Sequence, residues 1–311
     1  LQISQGLQLL APTLTAARKI PVILNGASGP GHSAEDAQRL RDAFQAAGLE
    51  ASLRPFGAGE DVRELARRAL KERPPIIVAA GGDGTVSAAA DVVRGTATAL
   101  GVIPAGTLNH FAKDLGLPLD LAEAVRTIAR GRRISVDIGE VNGRGFINNA
   151  SLGIYADIVR KRKRQQRRLR RSKRQAMLWA ALEALHRSRL LELRLELDDG
   201  VHEYRAPFVF VGNNDYILEG FDIGSRARLD AGVLKVYTTR RSTVRGLFAL
   251  ALHALFGRLR QADDFMESSV RSLRVSSRRR RLLVATDGEI NAMDTPLEFR
   301  IRPRALQVIV P

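Results

Sequence analysis

The sequence predicts an α/β half built on a parallel sheet, followed by an antiparallel β half. Three observations predict it. Over residues 21–131, short apolar runs alternate with segments of helical spacing. Glycine-containing polar loops follow several of these runs directly. Beyond residue 133, strand patterns separated by turn signals take over. Repeated strand–helix units imply a parallel sheet with helices on both faces, whereas strands joined by tight turns pair antiparallel.

The first half reads element by element. Residues 21–24 form a short apolar strand, followed by the loop from Asn25 to Gly31. Residues 34–47 have helical spacing and stop at Gly48, a suitable residue just past a helix end. Residues 50–54 read as a strand. Residues 61–73 read as a helix with Val62, Leu65, Ala66, Ala69 and Leu70 on one face, ended by Pro74-Pro75. Residues 76–80 are a continuous apolar run, as in a strand covered on both faces. Gly81-Gly82-Asp83-Gly84-Thr85 follows, then a helix over 86–94, a buried strand over 99–103 and a helix over 121–130.

The second half yields strands at 134–141, 144–149, 191–197, 204–211, 233–238, 272–275, 282–286, 297–301 and 305–310. Helical segments at 154–189 and 243–259 interrupt them. The boundary is expected near Gly131-Arg132-Arg133, giving units of 21–132 and 133–311, with the final strand free to return to the first unit. Residues 1–20 lack the charged start and apolar core of a signal peptide and are expected to be a leader or a short leading helix.

The 311-residue length suits two domains, and 45% hydrophobic residues excludes disorder as the main state. The formal charge is +16. It comes largely from two places: the run from Arg160 to Arg174, where 11 of 15 residues are Lys or Arg, and Arg278-Arg279-Arg280-Arg281. Without these the chain is nearly neutral, so the patches themselves call for an anionic partner. The basic run continues into an apolar stretch with Trp179, which suits docking on an anionic bilayer. A solvated helix and a nucleic-acid contact are the competing readings, with nucleic acid the less favoured partner. The absence of cysteine excludes disulfides, thiolate metal sites and a cysteine nucleophile, and fits a reducing compartment. No apolar run reaches the roughly 18 residues of a membrane span.

The strand ending in Gly81-Gly82-Asp83-Gly84-Thr85 carries the strongest chemical signal. Glycines there let backbone N–H groups approach a phosphate, and the following helix N-terminus adds its dipole. Asp83 stands where it could hold Mg²⁺ beside phosphates, and Thr85 could donate to a phosphate oxygen or cap the helix. Neither a P-loop nor a full dinucleotide fingerprint is present. The loops from Asn25 to Gly31 and from Pro104 to Asn109 should lie at the same sheet edge and could surround one nucleotide. In the β half, Thr286-Asp287-Gly288-Glu289 offers a carboxylate pair for acid–base work, and read alone it is also a hairpin turn.

Taken in order, Asn25-x-x-Ser28-Gly29, Gly81-Gly82-Asp83-Gly84-Thr85, Pro104-x-Gly106-Thr107-x-Asn109-x-Phe111-Ala112 and Asp287-Gly288-Glu289 resemble the diacylglycerol kinase catalytic-domain family. The likeness is to the soluble bacterial lipid kinases related to diacylglycerol and sphingosine kinases, and it covers about residues 20–311. The glycine motif alone is shared with NAD kinases and, more loosely, with phosphofructokinases. The resemblance implies a phosphofructokinase-like nucleotide domain followed by a β-sandwich, with the active site between them. It implies that Asn25, Ser28 and Gly29 contact ATP. Gly82, Asp83, Gly84 and Thr85 would cradle its phosphates with Mg²⁺, and Gly106 and Thr107 would complete the pocket. Glu289 matches the family's general base, and Asp287 would orient the turn or assist the metal.

Two positions depart from the family pattern: His110 stands where an acid often follows the motif asparagine, and Ala231 replaces the second acid after Asp230. A second Mg²⁺ site would therefore rest on Asp230 alone. The leading expectation is a cytoplasmic lipid kinase acting at the inner membrane face, with a homodimer left open. The alternatives are an NAD kinase-like phosphotransferase and a non-catalytic protein that binds an anionic surface or nucleic acid.

Overall fold

The computed structural model describes residues 19–25, 34–57, 59–153, 191–197, 200–217, 225–239 and 265–311. The expected helical segments at 154–189 and 243–259, including the run from Arg160 to Arg174, lie outside them, as do Ser28 and Gly29.

Four parallel strands open the chain: β1 (Ile20–Asn25), β2 (Ala51–Phe56), β3 (Ile76–Gly81) and β4 (Ala99–Pro104), in the order β2-β1-β3-β4. All six residues of β3 are buried, as its unbroken apolar run requires. The two-residue side-chain period sends Ile23, Ile77, Ala79, Leu100 and Val102 to one face, against α2 (Val62–Lys71) and α3 (Asp83–Val93). Val22, Val78, Ala80, Ala99 and Ile103 face the other way, against α1 (Ala34–Ala46) and α5 (Leu121–Arg130). Side chains of Asp61 and Asp120 cap α2 and α5 by accepting the amides of Arg63 (2.9 Å) and Glu123 (3.0 Å).

The two halves share one sheet. The 14-residue strand β16 (Leu297–Val310) pairs parallel with β4 through Val308 and Leu100. It also pairs antiparallel with β5 (Arg132–Val141) and β13 (Ser272–Ser277). The sequence suggested two strands broken near Pro303; instead a register shift between Arg302 and Leu306 carries the chain past the proline, with Arg304 at φ +52°. The sheet continues from β13 to β8 (Leu191–Leu197) and β9 (Gly200–Ala206), while β6 (Arg144–Phe146) pairs with β5.

A second, antiparallel sheet runs β12-β11-β10-β7-β14-β15. Its strands are β7 (Asn149–Gly153), β10 (Phe208–Asn213), β11 (Leu234–Thr239), β12 (Phe265–Val270), β14 (Arg281–Thr286) and β15 (Glu289–Asp294). Leu152, Val209, Val211, Val236 and Val284 of this sheet are buried in one core with Val141, Leu195, Val275, Leu297 and Phe299 of the first. The single strand expected at 204–211 is two, parted at Pro207, and the pieces join different sheets. The strand expected at 144–149 also splits, and its break at Ile147-Asn148 serves the site described next. Among the described residues no helix is long and apolar enough to cross a membrane.

Candidate active site

Because β1, β3 and β4 follow one another in the sheet order, Asn25 at the carboxyl end of β1 stands on the same edge as the loops that leave β3 and β4. Asn25 ends β1, and its carboxamide donates to the Thr85 hydroxyl at 3.4 Å. The loops after β3 and β4 meet backbone to backbone: the Ala105 amide donates to the Gly81 carbonyl at 2.9 Å. A Cβ on Gly106 would lie 2.5 Å from the Gly82 Cα, so this approach requires glycine. Asn109, at φ +51°, closes its own loop, accepting the Gly106 amide and donating to the Gly106 carbonyl, both at 3.0 Å. Helix α3 begins at Asp83, three residues earlier than the sequence suggested, so Asp83, Gly84 and Thr85 form its first turn. Asp83 is half-buried and accepts the amide of Phe111, in α4 (His110–Asp114), at 3.4 Å. Thr107 and His110 are exposed beside this floor.

A glycine floor against a helix N-terminus fits a polyphosphate. One carboxylate in that first turn fits a hard divalent cation, which takes much of its coordination from phosphate and water. Among the described residues no three His, Asp or Glu side chains converge as a protein-only metal cage.

The Asp287-Gly288 pair is the two-residue turn joining β14 to β15, with both residues at positive φ (+47° and +79°) and Thr286 opposite Glu289. The hairpin reading and the chemical reading of this segment are therefore compatible. Both Asp287 oxygens are engaged. Oδ1 accepts the amides of Asn148 (2.8 Å) and Asn149 (3.0 Å), and Oδ2 accepts the Ile147 amide (2.8 Å) and the Ser87 hydroxyl of α3. Burial pushes the carboxyl pKa up, against the pull of these four donors. Asp287 thus locks the turn rather than presenting a free oxygen.

Glu289, two residues on, is 36% exposed. Its Oε2 accepts from Arg63 (3.0 Å) and Arg144 (2.6 Å). Arg63 is anchored by Asp91 (3.1 Å), which also accepts from Arg94 (3.0 Å) and the Gly145 amide (2.8 Å). Burial opposes the Arg63 charge, but Glu289 and Asp91 outweigh it and raise its pKa. Arg94 reaches on to Glu140, which also accepts from Arg302.

Behind the turn stands a buried scaffold that sequence reasoning missed. The Arg226 side chain is 0% exposed. It donates to Asp114 (2.8 Å), the carbonyls of Ile147 (2.6 Å) and Asn213 (3.1 Å), and Asn148 Oδ1 (2.8 Å). The Tyr216 hydroxyl donates to the Asn148 carbonyl at 2.9 Å, and burial pushes its pKa up to about 12. The segment whose amides hold Asp287 is therefore itself held from behind.

Other expected residues lie elsewhere. Asp230 is exposed and paired with Arg228 at 3.1 Å, and among the described residues no group of three His, Asp or Glu side chains includes it. The nearby Asp137 is occupied by the amides of Gly232 (2.7 Å) and Arg304 (2.8 Å). Arg278 to Arg281 sit at the far end of β14: Arg281 faces Asp294 while Thr286 faces Glu289, so five strand steps, about 17 Å, separate patch and turn. The patch therefore lies on a surface remote from Glu289.

Comparison with known proteins agrees with this two-part design. Residues 19–141 match the model of the diacylglycerol kinase catalytic domain. Residues 149–310, just over half the chain, match that of the YegS C-terminal NAD kinase beta sandwich-like domain. These matches define a kinase-type nucleotide domain joined to a β-sandwich. The chain belongs to the diacylglycerol kinase catalytic-domain family. It is 28% identical over 305 residues to a diacylglycerol kinase of Bacillus subtilis (strain 168), covering 94% of this chain and 97% of that one. It is 27% identical over 300 residues to a diacylglycerol kinase of Staphylococcus aureus (strain MRSA252), covering 94% and 93%. A crystal structure of a diacylglycerol kinase from Bacillus anthracis str. Sterne has the same fold, with a TM-score of 0.65 at 18% identity over 94% of this chain and 97% of that one.

Proposed function

We propose that the protein is an ATP-dependent lipid kinase that transfers a phosphoryl group to the hydroxyl of diacylglycerol or a related lipid alcohol at a membrane surface. The observation that carries this reading is the clasp between the two halves: Asp287 takes the hydroxyl of Ser87, four residues or about 6 Å along α3 from Asp83. The turn bearing Glu289 is thereby fixed to the helix whose N-terminus forms the phosphate floor.

In this reading Asn25, Gly82, Gly84, Thr85, Gly106 and Thr107, with Ser28 and Gly29 of the preceding loop, hold ATP. Asp83 would hold a divalent cation, Mg²⁺ by chemical preference, whose role is to neutralise phosphate charge. Glu289 takes the proton from the lipid hydroxyl as that oxygen bonds to the γ-phosphorus and the bond to ADP breaks. Most of the rate comes from positioning and charge complementarity. The exposed Arg278-Arg279-Arg280 turn and the run from Arg160 to Arg174 supply charge for an anionic bilayer, which supports work at the cytoplasmic membrane face.

The test is a labelled-ATP assay with a panel of lipid alcohols in anionic mixed micelles and NAD as a control. Phosphorylation of a lipid, dependent on the micelle, supports the proposal. Phosphorylation of NAD with no lipid product would replace it with the soluble-nucleotide alternative.

A further inference from the structure

Glu289 is met by more positive charge than one carboxylate needs. Arg63 of α2 and Arg144 of β6 both reach its Oε2. Each guanidinium is fixed from behind, Arg63 through Nε to Asp91 and Arg144 through Nη1 to Asn291 Oδ1 at 3.1 Å. Two buried donors in this cluster have no partner among the described residues: Arg144 Nε and Asn291 Nδ2. Buried donors left without acceptors are costly, so a cluster that keeps two beside paired guanidiniums is built for incoming acceptor oxygens. Fork-shaped guanidiniums match the geometry of a phosphoryl group.

We propose that Arg63, Arg144 and Asn291 form a phosphoryl subsite that Glu289 occupies with its own carboxylate until a phosphoryl group arrives. The oxygens of that group take over the arginine N–H donors and satisfy Arg144 Nε and Asn291 Nδ2. Glu289 Oε2 is then free to turn to the acceptor hydroxyl. The carboxylate is thus exchanged for the phosphoryl group, which couples arrival of the donor to release of the base. The role assigned to Glu289 rests on the lipid-kinase reading; the subsite itself does not.

The phosphoryl group can come from the γ-position of a nucleoside triphosphate or from a phosphorylated lipid, and binding to the full-length chain separates the sources. Dissociation constants are measured for the ATP analogue AMP-PNP and for ADP, and for dioctanoyl phosphatidate and dioctanoylglycerol. Arg144→Gln and Asn291→Ala are each expected to weaken AMP-PNP about tenfold or more while ADP changes less than twofold. Arg144→Lys should recover part of the loss, since it keeps the charge but not the fork. A loss confined to phosphatidate, with dioctanoylglycerol unchanged, would support the subsite and assign it to the lipid side. Equal weakening of ADP and AMP-PNP, or no weakening in either pair, would overturn it. Asn291→Ala leaves the ion pairs in place, so it decides the matter even where Arg144→Gln does not fold. Absence of lipid phosphorylation by the wild type would refute the lipid-kinase reading and leave these binding ratios interpretable.

Discussion

The Ser87 hydroxyl, on the second turn of α3, donates to the buried carboxylate of Asp287 in the β14–β15 turn. Residues 200 positions apart thus tie the first half of the chain to the turn that leads into Glu289. The remaining bonds to Asp287 come from the Ile147–Asn149 backbone, so this carboxylate is the knot between three segments.

Cutting one strand of that knot should loosen the turn without unfolding the protein. Ser87→Ala is expected to cost about 1.5–3 kcal/mol, the range for a hydrogen bond to a charged group. Phosphoryl-transfer kcat should fall more than the KM for ATP rises, because the turn and not the nucleotide floor is displaced. Thermal melts and steady-state kinetics on the same preparation check both halves of this statement.

Gly106→Ala tests the contact between the two glycine loops. The added methyl would sit 2.5 Å from the Gly82 Cα, a backbone atom that cannot rotate away. Overpacking of this kind costs about 1–3 kcal/mol, and here the shift falls on the two glycine loops proposed to hold ATP. A marked weakening of ATP binding is expected by calorimetry. Gly84→Ala, where a Cβ meets nothing within 4 Å, should perturb the fold much less.

Arg226 and Asp114 form a fully buried ion pair, and breaking one side leaves the other charge stranded. Arg226→Met should destabilise by about 3–5 kcal/mol in denaturant titrations. Adding Asp114→Leu to Arg226→Met should restore part of the loss, since replacing both charges removes the stranded one. If the single and double variants are equally unstable, the backbone contacts of Arg226 to Ile147 and Asn213 carry its role instead.

Glu140 provides a pH signature. Burial pushes its carboxyl pKa up, but Arg302 and Arg94 more than offset this and hold it below the ordinary 4.5. A carboxyl with a lowered folded-state pKa stabilises the fold above its unfolded pKa, and that contribution is lost as pH falls through the folded value. The stability gap between wild type and Glu140→Gln should therefore be full at neutral pH and shrink below about pH 4.5. A gap that stays constant down to pH 3 would show that Glu140 does not titrate with folding.

Much of this architecture is legible in the sequence where the signal is local. The apolar run of β3 and the glycines after it announce a doubly covered strand and a close-packed glycine loop within ten residues. Asp287-Gly288 announces its turn, because positive φ at two successive positions selects such residues. Legibility fails where tertiary context overrides the local pattern. β15 carries Glu289, Asn291 and Asp294 on an edge strand and lacks an apolar signature. Pro303 reads as a break yet falls within the irregular stretch of a continuous strand. Ser87, Asp91, Arg63, Arg144 and Arg226 gain their roles from partners far away in sequence, so neither spacing nor composition marks them. Arg226 stands in a Ser-Arg-Ala-Arg stretch whose second arginine is exposed, and nothing local tells the buried one from the solvated one.

The central claim concerns what Glu289 does to a lipid hydroxyl, and one comparison addresses it most directly: transfer of labelled phosphate from ATP to diacylglycerol in anionic mixed micelles by the wild type and by Glu289→Gln. The account predicts transfer by the wild type and a fall in kcat of about 100-fold or more in the variant, in the range of general base catalysis, with ADP binding retained. Equal rates in the two proteins would contradict it.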